Sequence, residues 1–162
     1  MSVRLRVRPL GQDERPWLEQ NLTRLWGSPQ VVSRRRIHNA ARLPALVCIA
    51  DGDIVGLATF DLRDGQCELV TLDAFTEGRG IGSALLAAVA DEARRRRCTR
   101  LWLITTNDNL RALGFYQRRG LRLVAVHRGA VDAARQLKPT IPLLGINGIP
   151  IHDELELELP LP

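Results

Sequence analysis

Apolar positions alternate with period two over residues 3–7 (VRLRV), predicting a first strand. Over residues 13–26 the pattern turns helical, with Trp17, Leu18, Leu22, Leu25 and Trp26 on one face. Pro16 is tolerated in that helix's first turn, and Gly27, Ser28 and Pro29 end it. Residues 30–42 read as a second, irregular and basic helix stopping before Pro44. Three apolar runs follow, at 46–50, 54–62 and 67–72, separated by Asp51-Gly52-Asp53 and Asp64-Gly65. Asp-Gly turns between apolar runs predict an antiparallel meander.

In the second half, residues 69–93 carry an apolar run, a glycine cluster at Gly78, Gly80 and Gly82, and a helical pattern through Ile81, Leu85, Leu86, Val89 and Ala93. Residues 100–105 (RLWLIT) predict a short buried strand, 109–119 a helix closed by Gly120, and 121–127 another strand. The stretch 129–153, rich in proline and glycine, reads as a long covering loop. Strict alternation in 154–159 (ELELEL) predicts a half-buried last strand, most simply at a sheet edge. Together these elements predict one domain over residues 1–162. Its fold class is α/β, a mixed, mostly antiparallel twisted sheet of about seven strands with helices on both faces.

Composition narrows the function. The 45% apolar share over 162 residues is that of a globular domain, without a membrane-length apolar run. Lacking the apolar block of a signal peptide at its start, the chain is expected to be cytoplasmic, with Cys48, Cys67 and Cys98 as free core thiols. The net charge of +5 raises the question of nucleic acid. Its excess sits in two arginine runs, 34–36 and 94–97, with no interleaved aromatics to stack bases. A solvated face is expected instead, with neither a nucleic-acid nor a membrane partner.

A glycine loop feeding a helix can grip a phosphate through backbone N–H groups and the helix dipole. A dinucleotide fingerprint fails here because its third glycine falls on Ser83, and a P-loop fails because Gly82 is followed directly by Ser83. A plain strand-to-helix turn remains possible. The hexapeptide Glu77-Gly78-Arg79-Gly80-Ile81-Gly82 and the downstream set Asn109, Ala112, Tyr116, Gly120 and Leu121 add a second constraint. In this order they resemble the GNAT superfamily of N-acetyltransferases, whose patterns are [RQ]-x-x-G-x-[GA] and N-x-x-A-x-x-x-Y-x-x-x-G-F. The resemblance spans residues 45–127 well. It departs at Glu77, where the family has Arg or Gln, at Leu121 in place of Phe, and at the mid-helix Gly114.

The resemblance implies acetyl transfer from acetyl-CoA to a primary amine by direct attack. Gly78, Arg79, Gly80, Ile81, Gly82 and Ser83 would hold the pyrophosphate, and the backbone of Val70, Thr71 and Leu72 would pair with the pantetheine arm. Asn109 would contact that arm or merely cap its helix. Tyr116, the single tyrosine, would be the general acid, or else an ordinary core tyrosine. Glu68 is the first candidate base. Strict alternation places it on the face of Val70 and Leu72, where apolar neighbours would raise its pKa; a rim carboxylate paired with an arginine is the alternative. Asp73 and water are further candidate bases. His38, His127 and His152 read as structural, and no metal is expected.

The acceptor, a small-molecule or peptide amine, would enter between residues 22–42 and 129–154. Asp153 and Glu154 favour a cationic amine there, while the neighbouring arginines favour an acceptor bearing a carboxylate. Two alternatives stand beside the enzyme: a non-catalytic acyl-CoA-binding or regulatory module, and a basic nucleic-acid-binding protein. Monomer and homodimer are both compatible with the sequence.

Overall fold

The computed structural model describes residues 3–162. In chain order its elements are β1 (Arg6–Pro9), α1 (Arg15–Trp26), β2 (Gln30–Ser33), β3 (Arg36–Asn39), β4 (Ala45–Ala50), β5 (Asp53–Arg63), β6 (Gln66–Ala74), α2 (Ile81–Arg95), β7 (Arg100–Thr106), α3 (Leu110–Arg118), β8 (Arg122–His127), α4 (Ala130–Leu137) and β9 (Glu154–Pro160). Seven strands form one sheet in the order β1-β4-β5-β6-β7-β9-β8, and β2 and β3 make a separate hairpin. Among the described residues, only β6 and β7 pair in parallel. This is the mostly antiparallel α/β architecture the sequence predicts.

Both faces of the sheet are covered. On one, α2 buries Ile81, Leu85, Leu86, Val89, Ala90 and Ala93 against Cys48, Ala58, Phe60, Leu69, Leu101 and Leu103. On the other, Leu18 and Leu22 of α1 pack with Val47, Ile49 and Leu57. Burying each such leucine stabilises by about 1.5–3 kcal/mol. The interior strand β4 is buried at all its positions, which explains its unbroken apolar run. All three cysteines are buried and free, and burial pushes the Cys67 thiol up to about 12. The arginines of the 94–97 run begin by pairing with Asp91 and Glu92 of their own helix. Among the described residues no helix is long and apolar enough to cross a membrane.

Two irregularities in β6 position the site. Thr71 is opposite Thr59 but Leu69 is opposite Phe60, so Val70 is an extra residue, a β-bulge. In addition, β6 pairs with β7 only over Cys67, Glu68 and Leu69. Past Leu69, β6 stays paired with β5 and β7 stays paired with β9, so the two neighbours part. Their facing backbone groups are left without strand partners along the gap.

Several elements depart from the sequence reading. The first strand begins at Arg6 and runs through Pro9, which is tolerated because β1 is an edge strand. The expected helix over 30–42 is instead the β2–β3 hairpin followed by a short 3-10 turn. β-Branched Val31, Val32 and Ile37 suit strands, and the two-residue turn puts Arg34 and Arg35 at φ of 50° and 64°. The last strand, β9, lies between β7 and β8, so the edge belongs to β8. The covering loop contains α4 and a 3-10 turn over Ile146–Gly148, and Asn107 and Asp108 tie it to the end of β7.

Gly56 marks the closest approach of β5 to α2. A Cβ there would lie 2.5 Å from Ile81 Cγ2 and 2.8 Å from the Asp73 carbonyl oxygen. Gly56→Ala is therefore expected to destabilise the fold by about 1–3 kcal/mol, read as a lower urea midpoint at unchanged slope. By contrast, nothing in the structure requires glycine at Gly114, where a Cβ would meet only the movable guanidinium of Arg118.

Candidate active site

A groove of about 480 Å³ opens where β6 ends, between the glycine loop and α3. Its walls include Leu72, Asp73, Gly78, Gly80, Ile81, Gly82, Ser83, Asn109, Phe115, Tyr116 and Arg119. That size lies within the usual range of small-molecule sites. Gly78 and Gly80 have φ of 75° and 77°, which glycine adopts without strain. Gly80 caps α2, so the first N–H groups of that helix, from Ile81 onward, have no intrahelical acceptor at its positive end. At Gly82 a Cβ would come within 3.1 Å of Phe115, so this glycine lets α2 and α3 close together.

Cations gather on the α3 side. Arg119 Nε donates to Ser83 Oγ (2.7 Å), and its guanidinium lies 3.6 Å from the Phe115 ring centroid. Arg111 Nη1 pairs with Glu77 at 2.5 Å and holds that carboxyl below its usual pKa. The departing acid in the glycine motif is thus matched by a guanidinium and kept exposed. Arg111, Phe115, Arg118 and Arg119 share one helix face, spaced i, i+4, i+7, i+8. That spacing was the available signal for the arginines, which motif matching alone passes over.

Tyr116 is half-buried, with its ring edge-on to Phe115 at 5.2 Å between centroids. Burial pushes its phenol well above the usual value, and the nearby Asp73 charge adds to the rise, so the hydroxyl keeps its proton at neutral pH. Burial also raises Asp73, partly offset by the hydrogen bond that Trp26 Nε1 donates to it at 3.0 Å. Asn109 Oδ1 accepts from the Ala112 N–H (3.1 Å), an N-cap, while the residue also lines the groove.

Glu68 lies outside this groove. The bulge at Val70 turns Leu72 toward the α2 core, whereas Val70 faces the α1 core. Glu68 and Leu72 therefore do not share a face, contrary to the alternation rule. The neighbours of Glu68 are also polar: Ser33 Oγ donates to Oε1 (2.5 Å), and His38 Nε2 lies 3.2 Å from Oε2. The side chains of Val70 and Thr71 turn inward as well, Thr71 bonding Thr59 at 2.6 Å. Arg79 is exposed and not among the groove-lining residues.

The β2–β3 hairpin spans the sheet above the gap between β6 and β7. Ser33 holds Glu68 on β6, while the Arg34 N–H donates to Glu154 Oε1 (3.1 Å) on β9. Arg34 Nη1 donates to Glu156 Oε1 (2.9 Å) and lies 2.8 Å from His127 Nε2 on β8. From the tail, Lys138 Nζ donates to the Gln30 carbonyl (2.7 Å), so the two segments expected to flank the acceptor do meet. Glu154 is buried, which raises its pKa despite the Arg34 N–H. Asp153 is occupied by the N–H of Gly129 (2.8 Å), the residue that precedes α4.

The model of the Acetyltransferase (GNAT) family matches residues 11–121. The chain belongs to the GNAT family. It is 47% identical over 133 residues to the uncharacterized protein YxbD of Bacillus subtilis (strain 168), a match covering 82% of this chain and 84% of that one. Among solved structures it is similar in fold to an IAA acetyltransferase from Bacillus cereus ATCC 14579. That match has a TM-score of 0.75 at 20% identity, covering 98% and 100% of the two chains. It is also similar to a Bacillus subtilis acetyltransferase in complex with CoA, with a TM-score of 0.69 at 17% identity, covering 99% of each chain. Within this GNAT fold, nine of the residues expected to act converge on the groove: Leu72, Asp73, Gly78, Gly80, Ile81, Gly82, Ser83, Asn109 and Tyr116. Glu68 stands apart from them, under the hairpin.

Proposed function

We propose that this GNAT protein moves an acetyl group from acetyl-CoA to a primary amine by direct attack. The observation that carries the reading is the parting of β6 and β7. A groove with N–H donors, arginines and a protonated phenol lies at one side of the gap, and a carboxylate under a hairpin lies at the other. The free α2 N–H groups and Arg119 suit a pyrophosphate. The unpaired β6 edge at Val70, Thr71 and Leu72 suits a strand-like pantetheine arm, using backbone groups and leaving the side chains inward.

In the proposed reaction Glu68 takes a proton from the ammonium of the acceptor, and the freed nitrogen attacks the thioester carbonyl. An N–H of the parted β6 edge stabilises the developing oxyanion. As the C–S bond breaks, Tyr116 gives its proton to the sulfur, and the second proton of the attacking nitrogen leaves to restore the phenol through solvent. A second reading assigns the base to Asp73, which shares the groove with Tyr116 and has a pKa raised by burial. Glu68→Gln is expected to lower kcat/KM by about 10²–10⁴-fold and Asp73→Asn by less than about tenfold. The reverse order would give the role to Asp73.

An amine panel incubated with acetyl-CoA and read by mass spectrometry tests the activity itself. Acetylated product from at least one amine is expected. CoA binding without product from any amine would favour a non-catalytic module.

A further inference from the structure

His38 on β3 is 4% exposed and sits between two carboxylates from two other strands. Its Nε2 lies 3.2 Å from Glu68 Oε2 on β6, and its Nδ1 lies 3.7 Å from Asp61 Oδ2 on β5. Buried Nε2 makes no hydrogen bond, whereas the second oxygen of Glu68 is taken by Ser33 Oγ. The charged groups facing this trio are Arg36 on β3, 3.8 Å from Asp61, and Glu154 on β9, whose own pKa the Glu68 charge helps to raise. Beyond them, Arg34 at the hairpin tip is engaged with Glu156.

We propose that Glu68 and His38 accept the acceptor's proton as one unit, with Asp61 holding the imidazole in place. This proposal rests on the reading of Glu68 as the base. The relay requires a resting pair in which the imidazole proton sits on Nδ1, the nitrogen facing Asp61. The Nε2 lone pair then faces the Glu68 carboxylate with nothing between them. A proton placed between Nε2 and Glu68 would give this buried nitrogen the partner it lacks. When the acceptor's N–H bond breaks, its proton bonds to Glu68 and the electron pair stays on nitrogen. The proton then passes from the carboxyl to Nε2, giving an imidazolium between two carboxylates and a Glu68 charged again. No other reactant is consumed. His38 is a positioning and relay residue and does not touch the acceptor.

The test compares the pH dependence of kcat/KM in the full-length wild type, His38→Gln, Asp61→Asn and Glu68→Gln, with NMR of the imidazole nitrogens of His38. Glutamine at position 38 offers Glu68 an amide donor but cannot relay. The relay predicts that His38→Gln moves the acid limb of the profile to lower pH by about one unit, with the KM for acetyl-CoA unchanged. It also predicts that Glu68→Gln and Asp61→Asn each shift the His38 titration midpoint downward. A profile in His38→Gln that keeps its limb, or a His38 midpoint indifferent to Glu68→Gln, overturns the relay. The NMR readout needs no turnover. Loss of the Glu68 base would instead show as unaltered activity in Glu68→Gln, so the two failures are distinguishable.

One ligand atom from each of His38, Asp61 and Glu68 lies within 4.8 Å of the others, so Zn²⁺ alone is the remaining control. No saturable change in the His38 resonances is expected. A stoichiometric change would make the trio a metal site and overturn the relay.

Discussion

Tyr116→Phe is expected to lower kcat by about 10²–10⁴-fold while leaving the affinity for acetyl-CoA within about twofold. Phenylalanine keeps the ring and its edge-on contact with Phe115, so the packing of α3 survives. Only the hydroxyl is lost, which among the described residues takes no protein hydrogen bond and is free to donate into the groove. Because burial raises the phenol, Tyr116 stays protonated through the neutral and mildly alkaline range, and the wild-type rate should not fall there through its ionisation. Thiol release measured with saturating acceptor, with calorimetric binding of CoA, separates the two parameters. Equal losses in rate and affinity would contradict the role of Tyr116 as an acid.

Gly82→Leu is expected to weaken CoA binding by about 10²-fold. Its Cβ would already press on Phe115 at 3.1 Å, and the remaining atoms can only enter the groove or force α3 away. Either outcome separates the α2 N–H groups from the anion they are placed to hold. Hydrogen bonds to charged groups contribute about 1.5–3 kcal/mol each, so one or two lost bonds account for a change of that size. Calorimetry gives the affinity, and an unchanged far-UV spectrum and cooperative melt would show that the fold persists. Unaltered affinity in a folded variant would place the CoA site elsewhere.

The meander and the glycine loop were legible because local chemistry dictates them. Asp51-Gly52 and Asp64-Gly65 both take positive φ at both positions, as two-residue hairpin turns require. The β2–β3 hairpin uses the same geometry with Arg34 and Arg35, residues that carry no turn signal, and only Val31, Val32 and Ile37 pointed to strands. Residues held in that region without a glycine usually have strong reasons, and here Arg34 is fastened to Glu154 and Glu156 from a strand more than a hundred residues away. No local pattern contains such a contact. The bulge at Val70 was equally hidden, yet it decides which face Leu72 occupies relative to Glu68. Tyr116 and Asn109 were readable from motif spacing; the His38–Glu68–Asp61 trio joins three strands and exists only in three dimensions.

In the proposed reaction the groove between α2 and α3 holds CoA. A thermal melt with CoA as the only addition tests it most directly, because a ligand bound by the folded state raises stability by mass action. At about a hundredfold excess over its dissociation constant, CoA should stabilise the chain by about 2.7 kcal/mol. For a domain of this size that corresponds to a Tm rise of about 5–10 °C. That rise is expected in the wild type, with its loss in Gly82→Leu at the same concentration. An unchanged wild-type Tm at millimolar CoA would contradict it.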